Sequence, residues 1–197
     1  MARPREFDID EAVGRAMAVF WRLGYDGASL SDLLDGMGIA RGSLYKAFTD
    51  KKSLFLLALE RYDREAVTPG VALLTDPAVT DGWARIVQLF ETVVGFARDG
   101  DRRGCMLCSA AAGPAASDPE IAAEVHRMLE RMRNGFLAAL GDSPRHGALA
   151  PSALQDRAET LTTLYVGLRI LARAQAPLAR LDGCLTALQA LESDGAR

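Results

Sequence analysis

Helix starts and stops recur along this chain, and no stretch alternates apolar and polar residues for long enough to form a strand. Asp8-Ile9-Asp10-Glu11 offers an N-cap with an acidic residue three positions on, and Val13, Met17, Phe20 and Trp21 follow at helical spacing until Gly24. Ser29-Leu30-Ser31-Asp32 starts a second helix carrying Leu30, Leu33, Leu34 and Met37, stopped near Gly38. A short helix fits Ala40 to Ala47. Asp50 then caps a longer one with Leu54, Phe55, Ala58, Leu59 and Tyr62, and Pro69-Gly70 is expected to break it.

The later helices are longer. Trp83, Ile86, Val87, Phe90, Val93 and Val94 share a helix of roughly Gly82 to Arg98, followed by a short apolar piece from Gly104 to Ala112. Asp118-Pro119-Glu120 joins a capping Asp to a Pro suited to the first turn. Its helix carries Ile121, Val125, Met128, Met132 and Phe136 on one face. Asp142 to Pro151 is loop, and two further helices carry Leu154, Leu161, Tyr165, Leu168 and then Leu178, Leu181, Leu185, Leu188. The expectation is an all-α chain of about nine helices with a boundary between Val67 and Thr80. It divides a part built of short helices (1–66) from a part built of longer ones (67–197).

Of 197 residues, 49% are apolar and 25% charged, which suits a folded protein rather than a disordered one. The longest uncharged run, Gly104 to Ser117, contains Gly113-Pro114 and falls short of the roughly 20 apolar residues of a membrane span. Arg3 and Arg5 have no apolar stretch behind them, so no secretory leader and a cytoplasmic location are expected. Three cysteines, Cys105, Cys108 and Cys184, do not make a disulfide framework. Net charge is −3, yet all three lysines fall at Lys46, Lys51 and Lys52; with Arg41 and Asp50 they give a local excess of +3 between Ile39 and Lys52. A basic spot on an acidic chain suits a small phosphate-contacting surface, or the solvated end of a helix.

Two short helices joined at Gly38-Ile39 have the geometry that carries a recognition helix into a major groove. Gly38 is expected where the helices approach closely, with Ile39 over the core. In the second helix Leu44 and Phe48 can point inward, leaving Arg41, Ser43, Tyr45 and Lys46 outward. Gly42 costs about 1 kcal/mol against Ala in a helix interior, which makes sense if the backbone there must come close to something.

Gly24-Tyr25, Ser29-Leu30, Gly38-Ile39, Gly42-Ser43-Leu44-Tyr45, Phe48 and Asp50-Lys51 through Leu54-Phe55 match in order and spacing, and with them the segment from Asp8 to Tyr62 resembles the N-terminal domain of TetR-type transcriptional regulators. Gly104-Cys105-Met106-Leu107 and Gly167-Leu168-Arg169-Ile170-Leu171-Ala172-Arg173 are similar to stretches in one branch of that family's ligand-binding domains. The resemblance implies Ser29, Tyr45 and Lys51 on phosphates and Arg41, Gly42 and Ser43 nearest base edges, with Lys46 on the same outward face; an arginine can pair bidentately with guanine. Two departures stand out. Ala40 replaces a capping Ser or Thr, so the recognition helix is expected to start loosely. Asp35-Gly36-Met37 replaces a more helix-favouring stretch, so the turn is expected to begin early.

A single head contacts few phosphates, so a twofold pair reading a near-palindromic double-stranded operator is expected, joined through the last two helices as a homodimer. Phe90, Val94, Cys105, Met106, Cys108, Met128, Met132, Phe136 and Tyr165 form an apolar, Met-rich set that would suit a small hydrophobic effector. Singly each reads as core; together they mark the region the resemblance assigns to the pocket. Cys105-x-x-Cys108 lacks the further ligands of a zinc site, since only His126 and His146 are at hand, and lacks the βαβ context of a thioredoxin pair. It remains a thiol sensor, with Arg102 and Arg103 near in sequence, or a pair of small core residues.

The expected function is a ligand-released transcriptional repressor without cofactor or metal, and not an enzyme. The competing readings are a redox enzyme using the cysteine pair and a binding module whose reading head no longer reads. No Gly-rich phosphate loop and no clustered carboxylates beside a His support the enzyme.

Overall fold

The computed structural model describes residues 7–193. Helix α1 spans Ile9–Gly27 and bends at Gly24, α2 spans Leu30–Met37, and α3 spans Arg41–Ala47. The fourth helix, α4, begins at Lys51–Tyr62, passes through a π-helical turn at Asp63–Val67 and continues over Thr68–Leu74. Then come α5 (Gly82–Arg98), α6 (Met106–Ala112), a 3₁₀ turn at Pro114–Ser117, α7 (Pro119–Gly141), α8 (Pro151–Arg173) and α9 (Leu178–Ser193). No strand occurs among the described residues.

The chain marks its own helix starts. Asp8, Ser29, Asp50, Asp81 and Asp118 each accept a hydrogen bond from a backbone N–H of the turn they open, satisfying donors that the helix cannot satisfy itself. Ser29 and Asp32 form a complete capping box. Ala40 provides no side-chain cap to α3, as its methyl group dictates.

Three expectations need correction. Pro69-Gly70 does not break α4. The π turn just before it lengthens the ring by one residue, with Thr68 N–H donating to the Asp63 carbonyl, so Pro69 enters as the second residue of a new α segment and forfeits no interior bond. The turn after α2 does not begin early either: α2 reaches Met37, and Gly38 closes it in the left-handed region at φ +67°. The close helix approach belongs to Gly36 instead, where a Cβ would lie 2.3 Å from Val19 Cγ2 on α1.

A continuous apolar core runs through both halves. Phe20, Tyr25 and Phe55 cluster in the first, with Phe20 and Phe55 edge to face at 4.9 Å; Phe90, Phe136 and Tyr165 cluster in the second. Trp21 meets Tyr62 edge to face at 5.0 Å between them. Polar ties cross the same junction. Lys52 pairs with Asp118 and Glu120 at the start of α7 at 3.3 and 3.2 Å, and buried Asp63 accepts from Arg127 and Arg131. Buried Arg85 donates to the Leu74 carbonyl and to Asp142, fixing the end of α4 against the end of α7.

Candidate nucleic-acid interface and effector cavity

Helix α3 divides its faces cleanly. Leu44 and Phe48 are 1% and 3% exposed and lock into the core of the first half. Arg41, Gly42, Tyr45 and Lys46 are exposed, and Ser43 is half-buried. No ion pair among the described residues involves Arg41, Lys46 or Lys51, so their charge is available to an outside partner. Lys51 sits in the first turn of α4 with its ammonium 4.6 Å from the centre of the Tyr25 ring, which holds the side chain at the edge of the same surface. Lys52 does not belong to this surface, because its charge is committed to Asp118 and Glu120.

Ser29 is exposed at the start of α2, but its hydroxyl donates to Asp32 at 2.5 Å and accepts from the Asp32 N–H at 3.1 Å. A phosphate there would compete with Asp32. Gly42 has nothing within 4 Å of where a Cβ would stand. Packing inside the chain therefore gives no reason for a glycine.

Where the two halves meet there is a cavity of about 440 Å³, a small-molecule size. Its walls come from Met17 and Trp21 on α1, from α4 between Tyr62 and Leu73, from Leu89, Thr92, Val93 and Phe96 on α5, from the Asp101–Gly104 loop, and from Tyr165, Arg169 and Ala172 on α8. Gly104 adopts φ +71°, and a Cβ there would lie 2.6 Å from Arg173 Cβ and 2.9 Å from the Arg169 carbonyl. The loop can lie this close to α8 only because residue 104 is glycine.

Of the expected effector residues, Tyr165 lines this cavity, while Cys105, Cys108 and Met132 line an adjoining void of about 30 Å³ that Tyr165 also borders. Phe90, Val94, Met106, Met128 and Phe136 are packed in the core and border neither space. On α5 the cavity face is Leu89, Val93 and Phe96, about 100° round the helix from Phe90 and Val94. Periodicity marks a buried face without distinguishing packed atoms from an empty site. The charged members, Arg169, Arg103, Asp101 and Glu65, carried no periodic signal and were not anticipated as lining.

Around Cys105 several polar groups converge. The Tyr62 hydroxyl donates to its Sγ at 3.3 Å and the Cys108 N–H at 3.4 Å. The Cys108 thiol, the Arg169 guanidinium and the Tyr62 hydroxyl together hold the Cys105 thiol well below its ordinary range despite burial, and Cys108 is pushed up in turn by its bond to Cys105 and by burial. Arg169 donates to the Gly104 carbonyl at 2.7 Å, to Tyr62 at 3.2 Å and to Tyr165 at 3.3 Å. One turn along α8, Arg173 donates to the carbonyls of Trp21 and Arg103 at 2.9 Å and of Arg22 at 3.2 Å. No group of three or more His, Cys, Asp or Glu stands at metal-binding spacing among the described residues.

Residues 13–58 match the profile of bacterial regulatory proteins of the tetR family. The chain is 32% identical to the HTH-type transcriptional repressor ComR of Escherichia coli (strain K12), over 91% of this chain and 86% of that protein. It is 30% identical to the HTH-type transcriptional regulator YezE of Bacillus subtilis (strain 168), over 92% and 94% respectively. Among solved structures it superposes at a TM-score of 0.80 and 29% identity on a cysteine-substituted TetR family transcriptional regulator, CifR, complexed with 26-bp double-strand operator DNA, covering 95% of this chain and 97% of that one.

Proposed function

This chain belongs to the TetR family and is a DNA-binding transcriptional regulator rather than an enzyme, and from that premise we propose that it is a homodimeric repressor released from a near-palindromic operator when a small molecule fills the cavity bounded by α1, α4, α5 and α8. The observation that carries the reading is the continuity of α8, which borders the cavity through Arg169 and grips the end of α1 through Arg173. A ligand that prefers one position of α8 thereby biases the position of α1 and the reading head packed on it; equal affinity for both positions would shift nothing.

In this reading residues 1–66 read DNA and 67–197 sense and dimerise, in the cytoplasm. Arg41, Gly42 and Ser43 face base edges, while Tyr45, Lys46, Lys51 and Ser29 face phosphates. Two heads stand about 34–36 Å apart, one duplex turn. The dimer reading is supported by Leu164 and Ile170 on α8, 42% and 49% exposed, beside Gly183, Thr186, Ala187 and Ala190 exposed on α9. Small and apolar residues on adjacent helices suit a four-helix contact with a twofold mate. A gel-shift titration on DNA flanking its own gene, at two salt concentrations, tests the reading. It predicts a discrete, salt-sensitive complex of two chains per duplex that survives excess random DNA; a complex that random DNA disperses at equal concentration contradicts it.

A second reading, thiol sensing, is favoured by the lowered Cys105 thiol. Iodoacetamide near about pH 6 should then label Cys105 ahead of Cys184 and release the operator. Labelling with the operator retained contradicts it.

A further inference from the structure

The four charged residues that line the cavity, Glu65, Asp101, Arg103 and Arg169, sum to zero, but only three of them sit in ion pairs. Glu65 pairs with Arg61 at 2.7 Å, and Asp101 pairs with Arg103 at 2.7 Å. That leaves Arg169 as the lining cation without a carboxylate. A guanidinium keeps its charge in any protein environment, and Arg169 has only neutral acceptors: one carbonyl and two tyrosine hydroxyls. Burial pushes both tyrosines up, so neither hydroxyl can serve as the anion. The Arg169 Nε–H is shut off from solvent and has no acceptor at all. The same holds for a second lining residue, Trp21, whose indole N–H is buried without a partner. Both N–H groups are closed off from the cavity as well, so what this wall offers an occupant is a guanidinium held by neutral acceptors alone, which favours an anion beside it.

The walls give the rest of that occupant. Away from Arg169 the cavity is bounded by Leu73, Leu89, Val93 and Phe96, which suit an apolar body. We propose that this cavity takes an organic carboxylate, its anionic head on Arg169 and its apolar part against α4 and α5. The proposal rests on the reading of the cavity as the effector site and names the ligand's chemistry, which the apolar set read from the sequence lacks.

The chain itself can bring one anion near Arg169, the Cys105 thiolate. That sulfur is already engaged by the Tyr62 hydroxyl and the Cys108 N–H, and it leaves the Arg169 Nε–H unbonded. A carboxylate offers two oxygens to the planar fork where the thiolate offers one diffuse atom.

The test is calorimetric titration of the full chain, without DNA, with matched pairs: benzoate and benzamide, phenylacetate and phenylacetamide, hexanoate and hexanamide. At least one carboxylate should bind about tenfold or more tightly than its amide. Arg169→Met should abolish the preference, Arg169→Lys should keep part of it, and Cys105→Ser should leave it intact. The proposal is overturned if no carboxylate binds above its amide, if the preference survives Arg169→Met, or if it appears only with Cys105→Ser. With DNA absent, such a failure is distinct from failure of the regulator reading, which the gel shift decides.

Discussion

The two halves of the molecule leave charge unpaired in opposite places. In the reading head the interior is apolar, and Arg41, Lys46 and Lys51, which form no ion pair among the described residues, lie on the outside around α3. In the effector half many surface arginines are matched to acids, as Arg133 is to Glu130 and Arg127 to Glu124, while Arg169 lies inside with one carbonyl and two tyrosine hydroxyls as its partners. One half is built to meet a large polyanion that cannot enter, the other a small ligand that can. The difference teaches where each function has to be sought: outward function in the local pattern of one short helix, inward function in what distant helices bring together.

Substitutions can break or sharpen that contrast. The largest effect is expected for Gly104→Ala, which places a methyl group in a left-handed backbone and against α8; it should cost about 2–4 kcal/mol in urea unfolding. A loss below about 1 kcal/mol would mean that the cavity wall yields. Arg173→Met removes three hydrogen bonds from a cation to carbonyls of the α1 end and the loop. A loss of about 2 kcal/mol is expected, with faster hydrogen exchange confined to the last turns of α1. Uniform acceleration across the chain would count against α8 as the link between halves.

Smaller changes address the reading head. Ala40→Ser supplies the missing cap of α3 and should stabilise the chain by about 1 kcal/mol, read as a higher urea midpoint. Gly42→Ala should also stabilise the free chain, by about 0.5 kcal/mol, since nothing stands where the methyl would go. Its operator affinity should nevertheless fall, because the methyl would hold the backbone off the duplex. Opposite signs from one substitution would separate what the fold needs at position 42 from what DNA needs there. Affinity that rises with stability would refute the close approach.

How much of this was legible in the sequence follows the same contrast. The helices of the reading head announce themselves through Asp8, Ser29 and Asp50, and the inward pair Leu44 and Phe48 leaves Arg41, Tyr45 and Lys46 outward by simple periodicity. Contacts set by chain separation were not legible. Nothing local says that Lys52 leaves the basic spot for Asp118 and Glu120, that Gly36 rather than Gly38 admits Val19, or that a π turn carries α4 through Pro69. The cavity suffered most. Periodicity selected Phe90, Val94 and Phe136, whose burial is core packing, and passed over Arg169, which reaches the cavity wall with neutral groups as its hydrogen-bond partners.

The account's central claim is that the outward surface around α3 reads DNA with divided roles, and the most direct measurement is fluorescence anisotropy of operator and random duplex across a salt series. Wild type, Lys51→Ala and Arg41→Ala are compared. Lys51→Ala should weaken both duplexes alike and flatten the salt slope by roughly one unit, whereas Arg41→Ala should cost about 1–3 kcal/mol on the operator and little on random DNA. Identical behaviour of the two variants, or operator affinity untouched by both, would contradict it.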